Sequence, residues 1–142
     1  FSNTLLIIPI DGKKLMKKLL IVAALVLIAI LAGCVFRVVK TYTDSGQSID
    51  IAVNREFAIV LGSNPTTGFN WQLTHDSTML ELVEEKYIPG KEAKAGLIGA
   101  GGADYFRFST LRTGETVVTL VYRQPWEGGE TSDTKTFTIT IK

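Results

Sequence analysis

Few side chains in this sequence could serve as a nucleophile, a general base or a metal ligand. Its only histidine is His75 and its only cysteine is Cys34. His75 lies in "THDS" at the end of a β-like run, where we expect a solvated turn residue rather than a catalytic base. No spacing suggests a Ser/His/Asp arrangement or a pair of catalytic carboxylates. The sequence therefore predicts neither an enzyme, nor a metal site, nor a bound cofactor.

The segment "NPTTG", residues 64–68, lies between the apolar run "FAIVLG" and the aromatic run "FNW". Pro65 fixes one backbone angle and restricts Asn64 to extended conformations, while Gly68 allows a positive φ where the segment ends. These residues predict a stiff, narrow, uncharged protrusion. The alternative is an ordinary hairpin loop made of good turn formers.

A second segment, "GKEAKAGLIGAGG" at residues 90–102, contains five glycines and two large apolar residues, Leu97 and Ile98, without a strand pattern. Glycine-rich loops bind phosphate when a helix N-terminus follows, usually with a Lys-Ser/Thr pair, but an aromatic strand follows here. We therefore expect no nucleotide site. The segment is either a disordered linker or a loop that orders against a partner.

The two tryptophans are expected to differ in role. Trp71 is in phase with Phe69 and Leu73, which predicts a core position. Trp126 lies in "YRQPWEGGET", residues 122–131, after a proline and without apolar neighbours. We expect Trp126 to be exposed, and exposed Trp and Arg residues often dominate interface energetics. The alternative is an indole folded back over the end of the domain.

The elements that must position these segments are β-strands, because apolar residues recur with a period of two and no stretch keeps a helical period. Seven strands are predicted, at residues 48–53, 56–62, 69–74, 79–88, 104–111, 115–123 and 134–142. Phe137, Ile139 and Ile141 face inward in the last strand, whereas the inward face of 104–111 is ambiguous. The fold class that follows is all-β: an immunoglobulin-like antiparallel β-sandwich of about seven strands without a disulfide.

The beginning of the chain has a different composition. Four lysines precede an apolar run at residues 19–32, which is short of the roughly 20 residues of a membrane-spanning helix, and this order is typical of a secretory signal. "LAGC", residues 31–34, resembles the lipobox of prokaryotic lipoproteins, in which the cysteine is acylated and becomes the first mature residue. The alternatives for this region are an uncleaved anchor helix and a buried free cysteine.

These features predict three regions. Residues 1–33 comprise upstream residues and a signal peptide with its natural start at Met16, residues 34–45 form a lipidated tether that begins at Cys34, and residues 46–142 form one domain. The mature protein is then expected to be a secreted lipoprotein anchored to a prokaryotic cell membrane, on its periplasmic or outer surface.

The charge of the predicted mature chain argues against binding to nucleic acid. Four of the fifteen basic residues and one of the fourteen acidic residues precede Cys34, so eleven basic and thirteen acidic residues remain from Cys34 onward. A net charge of −2 does not favour binding to the phosphate backbone of nucleic acid.

We also expect the mature protein to be a monomer that needs no cofactor.

Three motifs, "NPTTG", "GLIGAGG" and "QPW", occur in this order along the predicted domain. Together they resemble the three loop signatures of the chagasin-type inhibitors of cysteine peptidases, an immunoglobulin-like family. The resemblance covers residues 49–142. In one respect the sequence departs from the family pattern: the third loop usually reads Arg-Pro-Trp, whereas here Gln124 stands at the Arg position and Arg123 one place earlier.

This resemblance implies tight, reversible, competitive inhibition of papain-like cysteine peptidases by three loops at one end of the sandwich. The loop at 64–68 would block the catalytic cysteine without being cleaved, the loop at 96–102 would line the non-primed side of the cleft, and the loop at 123–126 would pack its Trp on the primed side. The peptidase-binding residues so implied are Asn64, Pro65, Thr66, Thr67, Gly68, Leu97, Ile98, Gly99, Gly101, Gly102, Arg123, Gln124, Pro125 and Trp126.

A second class of function is a surface-anchored adhesion or structural module, since immunoglobulin-like domains serve many roles and a fold does not determine a function. Titration of papain with the mature domain discriminates between the two.

Overall fold

The computed structural model describes residues 12–13, 16–23 and 38–142. Residues 16–23 are helical, and none of the helices within the described ranges is long and apolar enough to cross a membrane. The predicted lipidation site, Cys34, lies outside the described residues, as does most of the predicted signal peptide. Residues Val39–Lys142 form one compact unit, which carries all of the β-structure described below.

Two four-stranded sheets form this unit. The first has the order β1-β3-β6-β5 and the second the order β2-β8-β7-β4. The strands are β1 (Lys40–Tyr42), β2 (Ile49–Ile51), β3 (Glu56–Ser63), β4 (Asn70–Thr74), β5 (Leu80–Pro89), β6 (Gly102–Thr110), β7 (Gly114–Arg123) and β8 (Thr131–Ile141), and a short helix α1 (Lys91–Lys94) lies between β5 and β6.

The seven predicted strands correspond to β2 through β8, and two expectations are corrected. First, β1 lies within the segment predicted to be a tether, and it pairs with β3, so that Tyr42 is only 4% exposed and meets Phe57 edge-on. A three-residue strand is too short to show alternation, and the pairing with β3 is what defines it. Second, the sheets are not purely antiparallel, because β1 pairs parallel with β3 and β2 pairs parallel with β8.

The core lies between the two sheets, and the predicted inward faces are confirmed there. Phe137, Ile139 and Ile141 of β8 are buried, and the ambiguous strand β6 buries Phe106 and Phe108. The Phe108 ring stacks on Phe57 at 5.3 Å between centroids. Because the only cysteine precedes this unit, the sandwich is held by apolar burial and not by a disulfide.

The strand register places three connections at one end of the sandwich, which we call the loop end. Ser63, the last residue of β3, pairs with Gly102, the first residue of β6, and Asn70 at the start of β4 pairs with Arg123 at the end of β7. The connections are loop A (residues 64–68), loop B (residues 90–101) and loop C (residues 124–130). The connections 75–79 and 111–113 lie at the opposite end, the far end.

Candidate functional site

Loop A is a single 3-10 turn whose conformation is fixed by Asn64. The Asn64 side-chain oxygen accepts from the Thr66 N–H at 3.3 Å and from the Thr66 hydroxyl at 2.7 Å, and the Asn64 carbonyl accepts from the Thr67 N–H and hydroxyl at 3.1 and 2.7 Å. Gly68 ends the turn at φ +80°, a left-handed conformation that β-branched residues rarely adopt. The predicted stiff, uncharged protrusion is therefore present, with Pro65, Thr66 and Thr67 exposed.

Asn64 also joins loop A to its neighbours. Its side-chain amide donates to the Gly99 carbonyl of loop B at 2.9 Å, and its backbone N–H donates to the Tyr122 hydroxyl at 3.0 Å. The Tyr122 ring lies against both Trp71 and Phe69, with centroids 4.9 and 5.5 Å away. The base of loop A is thus tied to an aromatic cluster at the loop end of the core.

Loop B is ordered by its own backbone rather than being an irregular linker. Helix α1 occupies its first part, which neither predicted alternative, a disordered linker or a loop that orders against a partner, included. The Gly90 N–H donates to the Gly101 carbonyl at 3.1 Å and closes the base of the loop. Its tip presents Leu97 and Ile98, which are 62% and 98% exposed. Four residues, Lys-Glu-Ala-Lys, show too little of a helical period to be recognised in the sequence.

Gly102, predicted as a loop residue, lies in β6, where it pairs with both Ser63 and Pro89. A Cβ at this position would collide with the Ile88 carbonyl oxygen and the Tyr87 ring. The close approach of β5 therefore requires a glycine here, independently of any contact that Gly102 makes with a peptidase.

Loop C presents Trp126, which is 52% exposed, so the prediction of an exposed indole is confirmed. The edge of the indole lies against loop A, since a Cβ built on Gly68 would be 3.0 Å from its Cη2 atom. Gln124 and Pro125 lead into the loop, and Arg123 is the last residue of β7. Asn64 and Trp126 therefore connect loop A to loops B and C, and the three loops form one continuous surface.

This surface has the chemistry of a binding site. Exposed apolar side chains of loops B and C accompany an uncharged, preorganised turn. The exposed charged residues of these two loops are Lys91, Glu92, Lys94, Glu127 and Glu130. A rigid protrusion between apolar contacts suits insertion into a cleft, because little conformational entropy is lost on binding.

The groups that could do acid–base chemistry lie elsewhere. His75 follows β4 at the far end and packs edge-on against Phe108, with centroids 5.6 Å apart. Hydrogen bonds from Thr78 lower the pKa of Asp76, and a hydrogen bond from Lys86 lowers the pKa of Glu84 in the middle of β5. Across residues 12–13, 16–23 and 38–142 no cluster of His, Cys, Asp or Glu side chains could hold a metal ion.

Comparison with known sequences identifies the family. A sequence model described as Chagasin family peptidase inhibitor I42 matches residues 50–141, a range that contains loops A, B and C. The chain belongs to this family, whose members are protease inhibitors and not enzymes.

Individual relatives agree with this assignment. Chagasin of Trypanosoma cruzi is 36% identical over 107 residues, which cover 72% of this chain and 94% of that protein. Amoebiasin-1 of Entamoeba histolytica is 32% identical over 101 residues, which cover 71% and 94%. The crystal structure of a cysteine protease inhibitor from Entamoeba histolytica covers 73% of this chain and 96% of its own, with a TM-score of 0.61 at 20% identity, and shows the same β-sandwich fold.

Sequence reasoning missed Tyr122 as a residue of the loop end. Tyr122 continues the inward face of Thr116, Val118 and Leu120 on β7, and its side chain was assigned no role from the sequence. The available signal was a phenolic hydroxyl at the end of an apolar strand face and directly before a loop, since a buried Tyr needs a hydrogen-bond partner.

Proposed function

We propose that this protein is a tight, reversible, competitive inhibitor of papain-like cysteine peptidases, that it acts as a monomer, and that loop A enters the active-site cleft with loops B and C on either side. The observation that carries the proposal is the connection of the three loops by the Asn64–Gly99 hydrogen bond and the Gly68–Trp126 contact. Family membership supports the class of target, because the related chain in Entamoeba is described as a cysteine protease inhibitor.

Resistance of loop A to cleavage follows from its shape. A peptidase cleaves a chain that lies extended in its cleft, whereas residues Pro65–Thr67 form a 3-10 turn. Straightening this turn would break the hydrogen bonds of Asn64 with Thr66 and Thr67, as well as the bond from the Gly68 N–H to the Pro65 carbonyl at 3.2 Å. Loop A can therefore occupy the cleft without presenting a scissile carbonyl in the productive geometry.

Titration of papain with residues 38–142 tests the proposal directly. We expect competitive inhibition. Full peptidase activity should return on dilution, and the inhibitor chain should be intact afterwards. Absence of inhibition at micromolar concentrations would contradict the proposal and favour a function as an adhesion or structural module.

Trp126→Ala should weaken binding to papain by about 2 kcal/mol or more, because an exposed Trp within a binding surface is typical of a hot spot. The melting temperature should hardly change, since the indole contacts loop A and not the core. The inhibition constant and a thermal melt of the same sample measure both effects. A Trp126→Ala variant that unfolds would show that the indole supports the sandwich.

We propose further that the protein is a lipoprotein that carries its anchor on Cys34 and faces the periplasm or the outside of a prokaryotic cell. The lipobox-like "LAGC" and the preceding lysine-rich and apolar run support this proposal.

Expression from Met16 in a bacterial host should place the wild-type protein in the detergent phase, and Cys34→Ala should accumulate as an unprocessed precursor. Mass spectrometry of the N-terminal peptide identifies the lipid. A soluble mature chain with an unmodified Cys34 would contradict the proposal.

A further inference from the structure

Loop C leaves and re-enters its sheet through one pair of residues, Gln124 and Glu130. The Gln124 N–H donates to the Glu130 carbonyl at 3.0 Å, and the Glu130 N–H donates to the Gln124 side-chain oxygen Oε1 at 3.2 Å. Both backbone polar groups of Glu130 are thus bonded to one residue. An irregularity between Tyr122 and Arg123 interrupts the β7–β8 register just before this pair. The base of loop C therefore depends on Gln124 more than on regular strand pairing.

Trp126 lies in the five residues that this pair encloses. Its carbonyl accepts from the Gly129 N–H at 3.0 Å, and its ring lies on Gly68 of loop A. With half of its surface exposed, the indole has little core contact to hold it in place. Its position is set by the shape of loop C, and the shape of loop C is set at the base.

We propose that Gln124 is a positioning residue, whose side-chain oxygen holds loop C closed and so keeps the Trp126 indole against loop A, ready to bind. This inference rests on the proposed inhibitory function. An arginine, which the family pattern places at this position, has only donors and cannot accept from the Glu130 N–H. The chain thus fixes loop C with a bond that the Arg-Pro-Trp pattern does not provide, and this preorganisation reduces the entropy that binding must remove.

Two substitutions of similar length separate the hydrogen bond from the packing of the side chain. Gln124→Met removes the acceptor, and Gln124→Glu keeps an acceptor oxygen in the same place. Papain inhibition should weaken about three- to tenfold in Gln124→Met, the range expected when a side chain must be ordered on binding. Gln124→Glu should weaken inhibition clearly less than Gln124→Met does, at an ionic strength that screens Glu127 and Glu130.

Protection of the Glu130 amide from hydrogen exchange and the nuclear Overhauser contact between the Trp126 ring and Gly68 supply a second readout in the free protein. Both should be lost in Gln124→Met and kept in Gln124→Glu, at nearly equal melting temperatures. Wild-type inhibition by Gln124→Met, or equal weakening in both variants, would overturn the inference. If the wild-type protein fails to inhibit papain, the proposed function fails, while the exchange and Overhauser data still decide whether Gln124 positions Trp126.

Discussion

Gly68→Val is expected to weaken inhibition of papain by about 3 kcal/mol, more than a hundredfold, for two reasons that add. Gly68 has φ +80°, and a β-branched residue held in that region is strained by roughly 1–3 kcal/mol. Its new Cβ would also lie 3.0 Å from the Trp126 ring and would displace the indole. One substitution therefore strains loop A and disturbs its contact with the indole of loop C. Inhibition constants of wild type and variant, measured on the same papain preparation, give the loss.

Fold stability should change little in this variant, because loop A is exposed and can relax without moving the core. Gly114→Val is the matched control: Gly114 also has a positive φ, +136°, but lies at the far end, so its replacement should lower the melting temperature and leave inhibition unchanged.

Thr66→Ala and Thr67→Ala should each weaken inhibition by about 1 kcal/mol or less, as ordinary interface truncations do. Abolition of inhibition by Thr67→Ala together with wild-type behaviour of Gly68→Val would show that a side chain, and not the backbone shape, blocks the cleft.

Trp71→Ala is expected to lower the free energy of unfolding by about 3–5 kcal/mol, the usual cost of deleting a large buried aromatic side chain. Trp71 is only 8% exposed, its ring packs against Tyr122, and its indole N–H donates to the Gly62 carbonyl at 2.9 Å. The substitution leaves a cavity and removes the only side-chain donor to that carbonyl among the hydrogen bonds of the described residues. Urea unfolding followed by far-ultraviolet circular dichroism measures the loss.

Trp71→Phe provides the control for the hydrogen bond, since it keeps an aromatic ring and removes the donor. Trp71→Phe should lower the free energy of unfolding by less than Trp71→Ala does. The difference between the two variants measures the contribution of ring packing. If the midpoint of urea unfolding is the same in Trp71→Ala and in the wild type, Trp71 does not stabilise the core, and the division of roles between the two tryptophans is wrong.

β8 was predictable because its burial is one-sided. In β8 the threonines alternate with Phe137, Ile139 and Ile141, and this period of two is visible without any tertiary information. β1 was missed for the opposite reason: Lys40, Thr41 and Tyr42 form a strand only because β3 offers them a partner, and a contact between distant segments leaves no local pattern. The parallel pairings of β1 with β3 and of β2 with β8 were hidden in the same way.

The positions of the candidate site residues were predictable, but the bonds that join them were not. Pro65 and Gly68 restrict the local backbone, and Trp126 has no apolar neighbours in sequence, so a protruding turn and an exposed indole follow from local chemistry. The bond from Asn64 to Gly99 joins residues 35 positions apart, and the capping of Glu130 by Gln124 requires the closed shape of loop C. Such contacts exist only once the sandwich has brought the loop bases together.

The parallel pairing of β1 with β3 also fixes the end of the sandwich at which the chain enters it. Lys40 pairs with Phe57 near the start of β3, so the chain enters the sandwich at the far end and runs toward the loops. Only five residues, and so six residue steps, separate Cys34 from Lys40, a path of at most roughly 22 Å when fully extended. The loop end lies about one strand length, roughly 30 Å, from the end at which the chain enters. A group attached to the chain ahead of β1 therefore joins the domain at the end opposite to loops A, B and C.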